Sequence, residues 1–177
     1  MRLAGITGQG KGATDRLLAA VADRLTQDGI RLLGTLRPTA ADAGSGQCNS
    51  DLLLLPDGPL MRITQDLGSG SGACRMDAGA FEEAVGMVVA RVRADQADLV
   101  ILNKFGLSEA EGRGFRAVIA EALGRDVPVL TGLSDTHRAA FERFAEGTET
   151  ILQPKEDAIL AWCRSVVAND TTLRGDA

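Results

Sequence analysis

Two rhythms of apolar residues alternate along the chain: short continuous runs, and longer stretches in which apolar positions recur every three or four residues. Arg2 to Ile6 reads as a first strand. Leu17, Leu18, Val21, Ala22 and Leu25 then recur at helical spacing, which predicts a helix capped by Thr14 or Asp15 and ended by Gly29. Ile30 to Leu36 is a second strand, stopped by Arg37-Pro38. Residues 38–50 are rich in Ala, Gly, Ser, Thr and Asp and predict a loop. Asp51 to Leu55 and Met61 to Gln65 flank a Pro-Asp-Gly-Pro turn and predict a hairpin. A glycine-rich stretch, Leu67 to Arg75, precedes a helix from about Ala78 to Ala94 that carries Phe81, Ala84, Val85, Val88, Val89 and Val92 on one face.

Ala97 to Asn103 is the clearest buried strand. Ser108 and Glu111 have capping-box spacing and predict a helix to about Leu123, ended by Gly124. Val127 to Thr131 is a strand, Asp135 to Glu146 a helix and Glu149 to Leu152 a last short strand. Pro154 opens a final helix to about Val167, and the tail from Asn169 is expected to fray. Residues 1–168 therefore form one α/β domain, a mainly parallel sheet with helices on both faces and an inserted β-hairpin. Ligands of such sheets bind at the carboxyl ends of strands, where both glycine loops and Asn103-Lys104 fall.

Composition narrows the partners. A length of 177 residues with 45% hydrophobic content suits one domain with a full core. A formal charge of −5 argues against a nucleic-acid binder, which needs a basic face. No apolar run approaches the ~20 residues of a membrane span, and no signal-peptide pattern opens the chain, so no membrane partner and a cytoplasmic location are expected. Cys48, Cys74 and Cys163 lack Cys-x-x-Cys spacing and predict three reduced thiols, with Cys48 or Cys74 as the alternative site residue because both lie in loops. One histidine, His137, does not make a metal centre or a Ser-His-Asp set.

The chemistry concentrates in four places. Gly5 to Lys11 fits the first seven positions of the phosphate-binding template Gly-x-x-x-x-Gly-Lys-[Ser/Thr]. The eighth position is Gly12, where a hydroxyl should hold magnesium, and Thr14 is the next hydroxyl. In this altered P-loop, the amides from Gly8 to Ala13, Gly10 and Gly12 among them, would cradle phosphate, with the positive end of the following helix behind them. Lys11 would reach the terminal phosphates, and Thr14 or Asn103 would position Mg2+ or water. The alternative is a plain strand-turn-helix loop with a solvated lysine. A second concavity, Gly68 to Gly72, offers Ser69, Gly70 and Ser71 with Arg75 close behind, and suits a tetrahedral oxyanion or serves as a flexible connector.

Third, Asn103 ends a strand where a P-loop enzyme carries a magnesium-binding acid, and Lys104 follows it. Asn-Lys also resembles the guanine-reading Asn-Lys-x-Asp signature, but Gly106 stands where the Asp would accept the base. Fourth, Arg113 and Arg116 lie on the next helix, either as phosphate clamps or as a solvated face with Glu109, Glu111 and Glu121.

Several of these stretches recur together: Cys-Asn-Ser-Asp-Leu from Cys48, the Pro-Asp-Gly turn, Arg-Ile-Thr-Gln-Asp-Leu-Gly from Arg62, Gly70 to Asp77, and Leu102 to Arg116. In them the chain resembles a family of uncharacterised bacterial proteins often encoded beside molybdate ABC transporter genes, over nearly its whole length to about Val167. That family is distantly similar to P-loop nucleoside-triphosphatases of the thermophile type. The resemblance implies a P-loop NTPase-like fold and a nucleotide or oxyanion ligand. An Asp-Glu pair in the active triphosphatases corresponds to Asn103-Lys104 here, and family members often lack the lysine of the first loop.

Two readings follow. In one, the chain is a nucleotide- or phosphate-binding protein, at most a very slow nucleoside-triphosphatase, using Mg2+ with a nucleoside triphosphate and linked to molybdenum metabolism. In the other, it is a non-catalytic binder or regulator of a molybdate-like oxyanion, held by Gly68 to Arg75 with Lys104 and Arg116 nearby. A third class is an interaction module whose loops are merely loops.

Overall fold

The structure, a computed structural model, describes residues 2–8, 10, 12–38, 51–65 and 75–174. Its main sheet has seven strands in the order β4-β3-β2-β7-β8-β1-β9. These are β1 (Leu3–Ile6), β2 (Leu32–Leu36), β3 (Asp51–Leu55), β4 (Leu60–Arg62), β7 (Leu99–Phe105), β8 (Val129–Leu133) and β9 (Glu149–Leu152). A two-stranded ribbon, β5 (Thr64–Gln65) with β6 (Arg75–Met76), stands apart from it. The helices are α1 (Ala13–Gln27), α2 (Ala78–Ala94), α3 (Leu107–Ala110), α4 (Arg116–Gly124), α5 (Arg138–Ala145) and α6 (Glu156–Arg174), with one 3-10 turn at Asp135–His137.

Strands β2, β7, β8, β1 and β9 run parallel, while β3 and β4 add the expected antiparallel hairpin beside β2. The class read from the sequence is the class observed. Side chains alternate across each strand. Ala4, Ile6, Leu99, Ile101 and Leu130 pack against Leu18, Val21 and Leu25 of α1 and Ile159, Leu160 and Cys163 of α6. On the other face, Leu3, Val100, Leu102 and Val129 meet Val85 and Val88 of α2, Val118 and Ile119 of α4, and Phe141 of α5. No described helix is long and apolar enough to cross a membrane.

The element boundaries differ from the sequence pattern in several places. The strand expected over Met61 to Gln65 is divided between β4 and β5, which lie in different sheets, and the helix expected over Asp135 to Glu146 is the 3-10 turn followed by α5. The helix expected over 108–123 is two helices, because Gly112 and Gly114 take positive φ of 90° and 62° and interrupt it. Its start is not capped by Ser108 and Glu111. Gly106 occupies the N-cap, and Glu109, three residues on, accepts its N–H at 2.8 Å. The last helix runs to Arg174, past Val167.

Strand order decides where a ligand can sit. The connection leaving β1 enters α1 on one face of the sheet, and that leaving the adjacent β8 enters α5 on the other. Between them opens the crevice characteristic of parallel sheets, at the carboxyl ends of β1, β8 and β7.

Candidate functional site

The loop from Thr7 to Gly12 leaves β1 and turns into α1 through Gly12, whose φ of 72° is the left-handed geometry that glycine adopts without strain. The loop is braced from within. The N–H of Gly8 donates to the Thr14 hydroxyl at 2.8 Å, and the N–H of Ala13 donates to the Gly10 carbonyl at 3.2 Å. A Cβ at Gly8 would lie 2.8 Å from the Thr14 nitrogen, so the closure requires glycine. Two of the amides expected to cradle an anion are thus already engaged. The N–H groups of Gly10 and Gly12 have no acceptor among the described residues.

A cavity of about 260 Å³ lies over this loop, lined by Thr7, Gly8, Gly10, Gly12 and Thr14 on the β1–α1 side. Asn103 and Lys104 close it from β7, and Ser134 and Asp135 from the end of β8. Neighbours on a regular strand point to opposite faces. Here the pairing of β7 with β8 slips from Leu102↔Thr131 to Phe105↔Leu133, so three steps on one strand face two on the other. Such a bulge re-aims side chains, and Asn103 and Lys104 border the same cavity. Close approach is possible because residue 132 is glycine: a Cβ there would lie 2.2 Å from the Asn103 carbonyl oxygen and 2.9 Å from Thr14 Cγ2.

Polar groups in the cavity are individually defined. The Thr35 hydroxyl donates to Asn103 Oδ1 at 3.1 Å, which leaves the Asn103 amide nitrogen as its donor toward a ligand. Thr7 Oγ1 is buried and has no hydrogen-bond partner among the described residues. Asp15 pairs with Arg37 at 3.9 Å. Lys104 is exposed and has no ion-pair partner among the described residues. Ser134 Oγ and His137 Nδ1 are 2.8 Å apart, which orients the imidazole at the edge of the loop. Among the described residues no group of three or more His, Cys, Asp or Glu is placed to hold a metal ion.

A family model described as a protein of unknown function, DUF2478, matches residues 3–162. The chain belongs to this family. It is also similar to the "Molybdenum import ATP-binding protein ModC 2" of Bradyrhizobium diazoefficiens, with 33% identity over 175 residues. That match covers 99% of this chain and 19% of the other protein, so the chain spans about a fifth of the length of this curated relative. No solved structure matches the chain.

In this DUF2478 chain the fold gathers Gly8, Gly10, Gly12, Thr14, Asn103 and Lys104 around one cavity. Ala13 opens α1 beside them. Lys11, Ser69, Gly70 and Ser71, like Cys48 and Cys74, lie outside the described residues. Two expected cations stand elsewhere. Arg75 is exposed on β6, paired in register with Gln65, and the glycine loop it was expected to serve, Gly68 to Gly72, lies outside the described residues. Arg116 places its guanidinium 4.5 Å from the centre of the Phe144 ring, and Arg113 pairs with Glu111.

The sequence reading missed five lining residues: Thr7, Asp15, Leu133, Ser134 and Asp135. Thr7 and Asp15 flank the glycine loop, and the Ser-Asp pair follows an apolar strand, so position beside a strand end was the available signal.

Proposed function

We propose that this chain binds the phosphate groups of a nucleoside triphosphate at the loop after β1, with magnesium, and hydrolyses it very slowly or not at all. The observation that carries the reading is the cavity formed where that glycine loop meets the end of β7, at the point where adjacent connections leave the sheet in opposite directions. The Gly10 and Gly12 amides, the N-terminal end of α1, the Asn103 amide and Lys104 all supply positive charge or donors suited to phosphate. Thr7 also lines the cavity, and its buried hydroxyl has no hydrogen-bond partner among the described residues. A volume of about 260 Å³ suits phosphate groups rather than a whole nucleotide. The relative's name, an ATP-binding protein of molybdenum import, supports both a nucleotide ligand and a link to molybdenum, and the proposal assigns nucleotide binding to the segment the two proteins share.

Charge separates this reading from a bare oxyanion site. Asp135 and Asp15, the latter paired with Arg37, line the cavity with Lys104, so an unaccompanied phosphate or molybdate meets the carboxylate of Asp135 as well as the ion-paired one of Asp15. Magnesium suits that donor set. It takes oxygen ligands, keeps several waters and is commonly held by one or two carboxylates with substrate phosphates. Asp15, Thr7 and Thr14 are the residues that would hold it, and its chemistry there is to neutralise phosphate charge. Asn103, neutral and engaged by Thr35, adds no anionic ligand. Removal of one electrostatic contact commonly costs about 10²–10³ in rate, so turnover should fall to about 10⁻³ per second or less, the scale of an unassisted GTPase.

Calorimetry with ATP, GTP, phosphate and molybdate, each with and without Mg2+, tests the proposal together with phosphate release. The expected result is magnesium-dependent nucleotide binding, weakened in Asp15→Ala, with release at or below that rate. Molybdate binding that needs no magnesium, with no nucleotide binding, would replace this reading by the oxyanion one. Turnover near one per second that vanishes in Lys11→Ala would overturn the slow-hydrolysis claim.

A further inference from the structure

A second cavity, of about 360 Å³, opens beside the first and shares Asp15, Asn103 and Lys104 with it. Its walls are core side chains. Leu52, Ile63, Phe81 and Phe115 are all buried, and the two phenylalanine rings meet edge to face with centroids 5.1 Å apart, which fixes that wall. Its rim is formed by Met76 of β6 and Leu107 of α3, which are 45% and 62% exposed. These are two of the three large apolar side chains exposed among the described residues, and both border this one opening. Single exposed apolar residues are ordinary, whereas apolar groups gathered around a concavity mark a binding surface.

The polar groups are lopsided. Glu109 reaches the cavity, but both its oxygens already accept backbone N–H groups, from Gly106 at 2.8 Å and Phe115 at 2.9 Å. Arg37 is balanced by Asp15. Lys104 and the Asn103 amide lie at the junction with the first cavity, and the hydroxyls of Thr64 and Ser108 add neutral donors along the lining, so Lys104 is the cation there without an ion-pair partner among the described residues. Small-molecule sites combine such an apolar lining with a few convergent polar groups, in the same range of volume.

We propose that this cavity is a second ligand compartment, which takes the flat aromatic or heteroaromatic body of a small organic anion whose charged group rests on Lys104 and Asn103. Only the charged end depends on the anion-binding reading of the first cavity. The apolar walls and rim stand independently of it.

The test compares inorganic phosphate, 2-naphthyl phosphate and 2-naphthol, each with Mg2+ present, by calorimetry on the full chain and on three variants. Leu107→Asp and Met76→Asp alter exposed rim positions, and Thr64→Trp fills the cavity from a half-buried position outside the core. Thermal melting confirms that each variant is folded. The expected result is that 2-naphthyl phosphate binds about tenfold or more tightly than phosphate, the scale of burying an aromatic body. That advantage should vanish in Leu107→Asp and Thr64→Trp and shrink in Met76→Asp, with phosphate affinity unchanged. Equal affinity for the two phosphates in the unaltered chain, or an advantage that survives in the folded variants, would overturn the compartment. Rim-dependent binding of 2-naphthyl phosphate or 2-naphthol without measurable phosphate binding would support it while removing the phosphate role of the first cavity. No binding of any of the three probes would overturn it.

Discussion

The backbone N–H of Gly8 donates to the side-chain hydroxyl of Thr14 at 2.8 Å, tying the start of the glycine loop to the first turn of α1. The hydroxyl that a typical phosphate loop places next to its lysine is found here three residues beyond Lys11, and it braces the loop. Thr14→Val keeps the shape and removes the acceptor. It should cost about 1 kcal/mol in stability, the net worth of one such bond, and Thr14→Ser should recover most of it. Denaturant midpoints give the energy, and amide exchange at Gly8 gives the site: protected in the original chain, faster in Thr14→Val. Unchanged exchange at Gly8 would show that the brace does not hold in solution.

Asn103→Asp separates the two ligand readings. The Thr35 hydroxyl can donate to a carboxylate as well as to an amide, so the local geometry should persist. A new negative charge at the cavity should raise magnesium-dependent nucleotide affinity several-fold, because the metal gains an anionic ligand. The same charge should weaken magnesium-free phosphate or molybdate binding, since like charges a few ångströms apart repel. Calorimetry with and without Mg2+ reads both effects. A loss under both conditions would remove magnesium from the proposed site.

Glu109 is 3% exposed and joins the end of β7 to the start of α4 through Gly106 and Phe115. Glu109→Gln keeps the size but turns one acceptor into an NH₂ that faces a backbone donor. The expected loss is about 1–3 kcal/mol, the cost of one unsatisfied buried group, and Glu109→Ala should cost more because both amides lose their acceptor. Gly114→Ala probes the same packing from the backbone side, since its Cβ would fall within 2.8 Å of Phe81 Cε1. Urea midpoints within experimental error of the original chain for all three would remove Glu109 from this role.

Burial against α1 pushes the Cys163 thiol up to about 12. The folded chain therefore favours the neutral thiol, and the stability this confers is fully present below the ordinary thiol value of ~8.5. It fades as pH rises from there toward 12. In a Cys48→Ser, Cys74→Ser background, melting temperature should fall more steeply above pH 9 than it does when Cys163→Val is added. A thiol reagent at pH 8 should label Cys163 only as fast as the fold opens, because the thiolate is the reactive form. Immediate labelling of folded protein would contradict the burial.

The sequence by itself determined the class of this fold and the place of its first glycine loop. The run Leu99 to Leu102 is apolar at every position because a central parallel strand is covered on both faces, and Leu18, Val21, Ala22 and Leu25 repeat at helical spacing because one face of α1 is buried. Both signals are local and survive without knowledge of neighbours. Glu109 in place of Glu111 as the residue that serves the N-cap was not legible, since both fit a spacing rule and only the end of β7 sets where the helix begins. Arg116 likewise could not be placed: whether its charge met the cavity or the Phe144 ring depended on the break at Gly112 and Gly114. The tertiary structure alone decided where the candidate cavity forms, because it lies between strands distant in the chain. Setting β8 between β7 and β1 brings Ser134, Asp135 and Gly132 to the loop, and the bulge at Asn103 and Lys104 turns two neighbours toward one cavity. Strand order and register are properties of the packed whole, set by which apolar faces can be buried together, and no window of the sequence contains them.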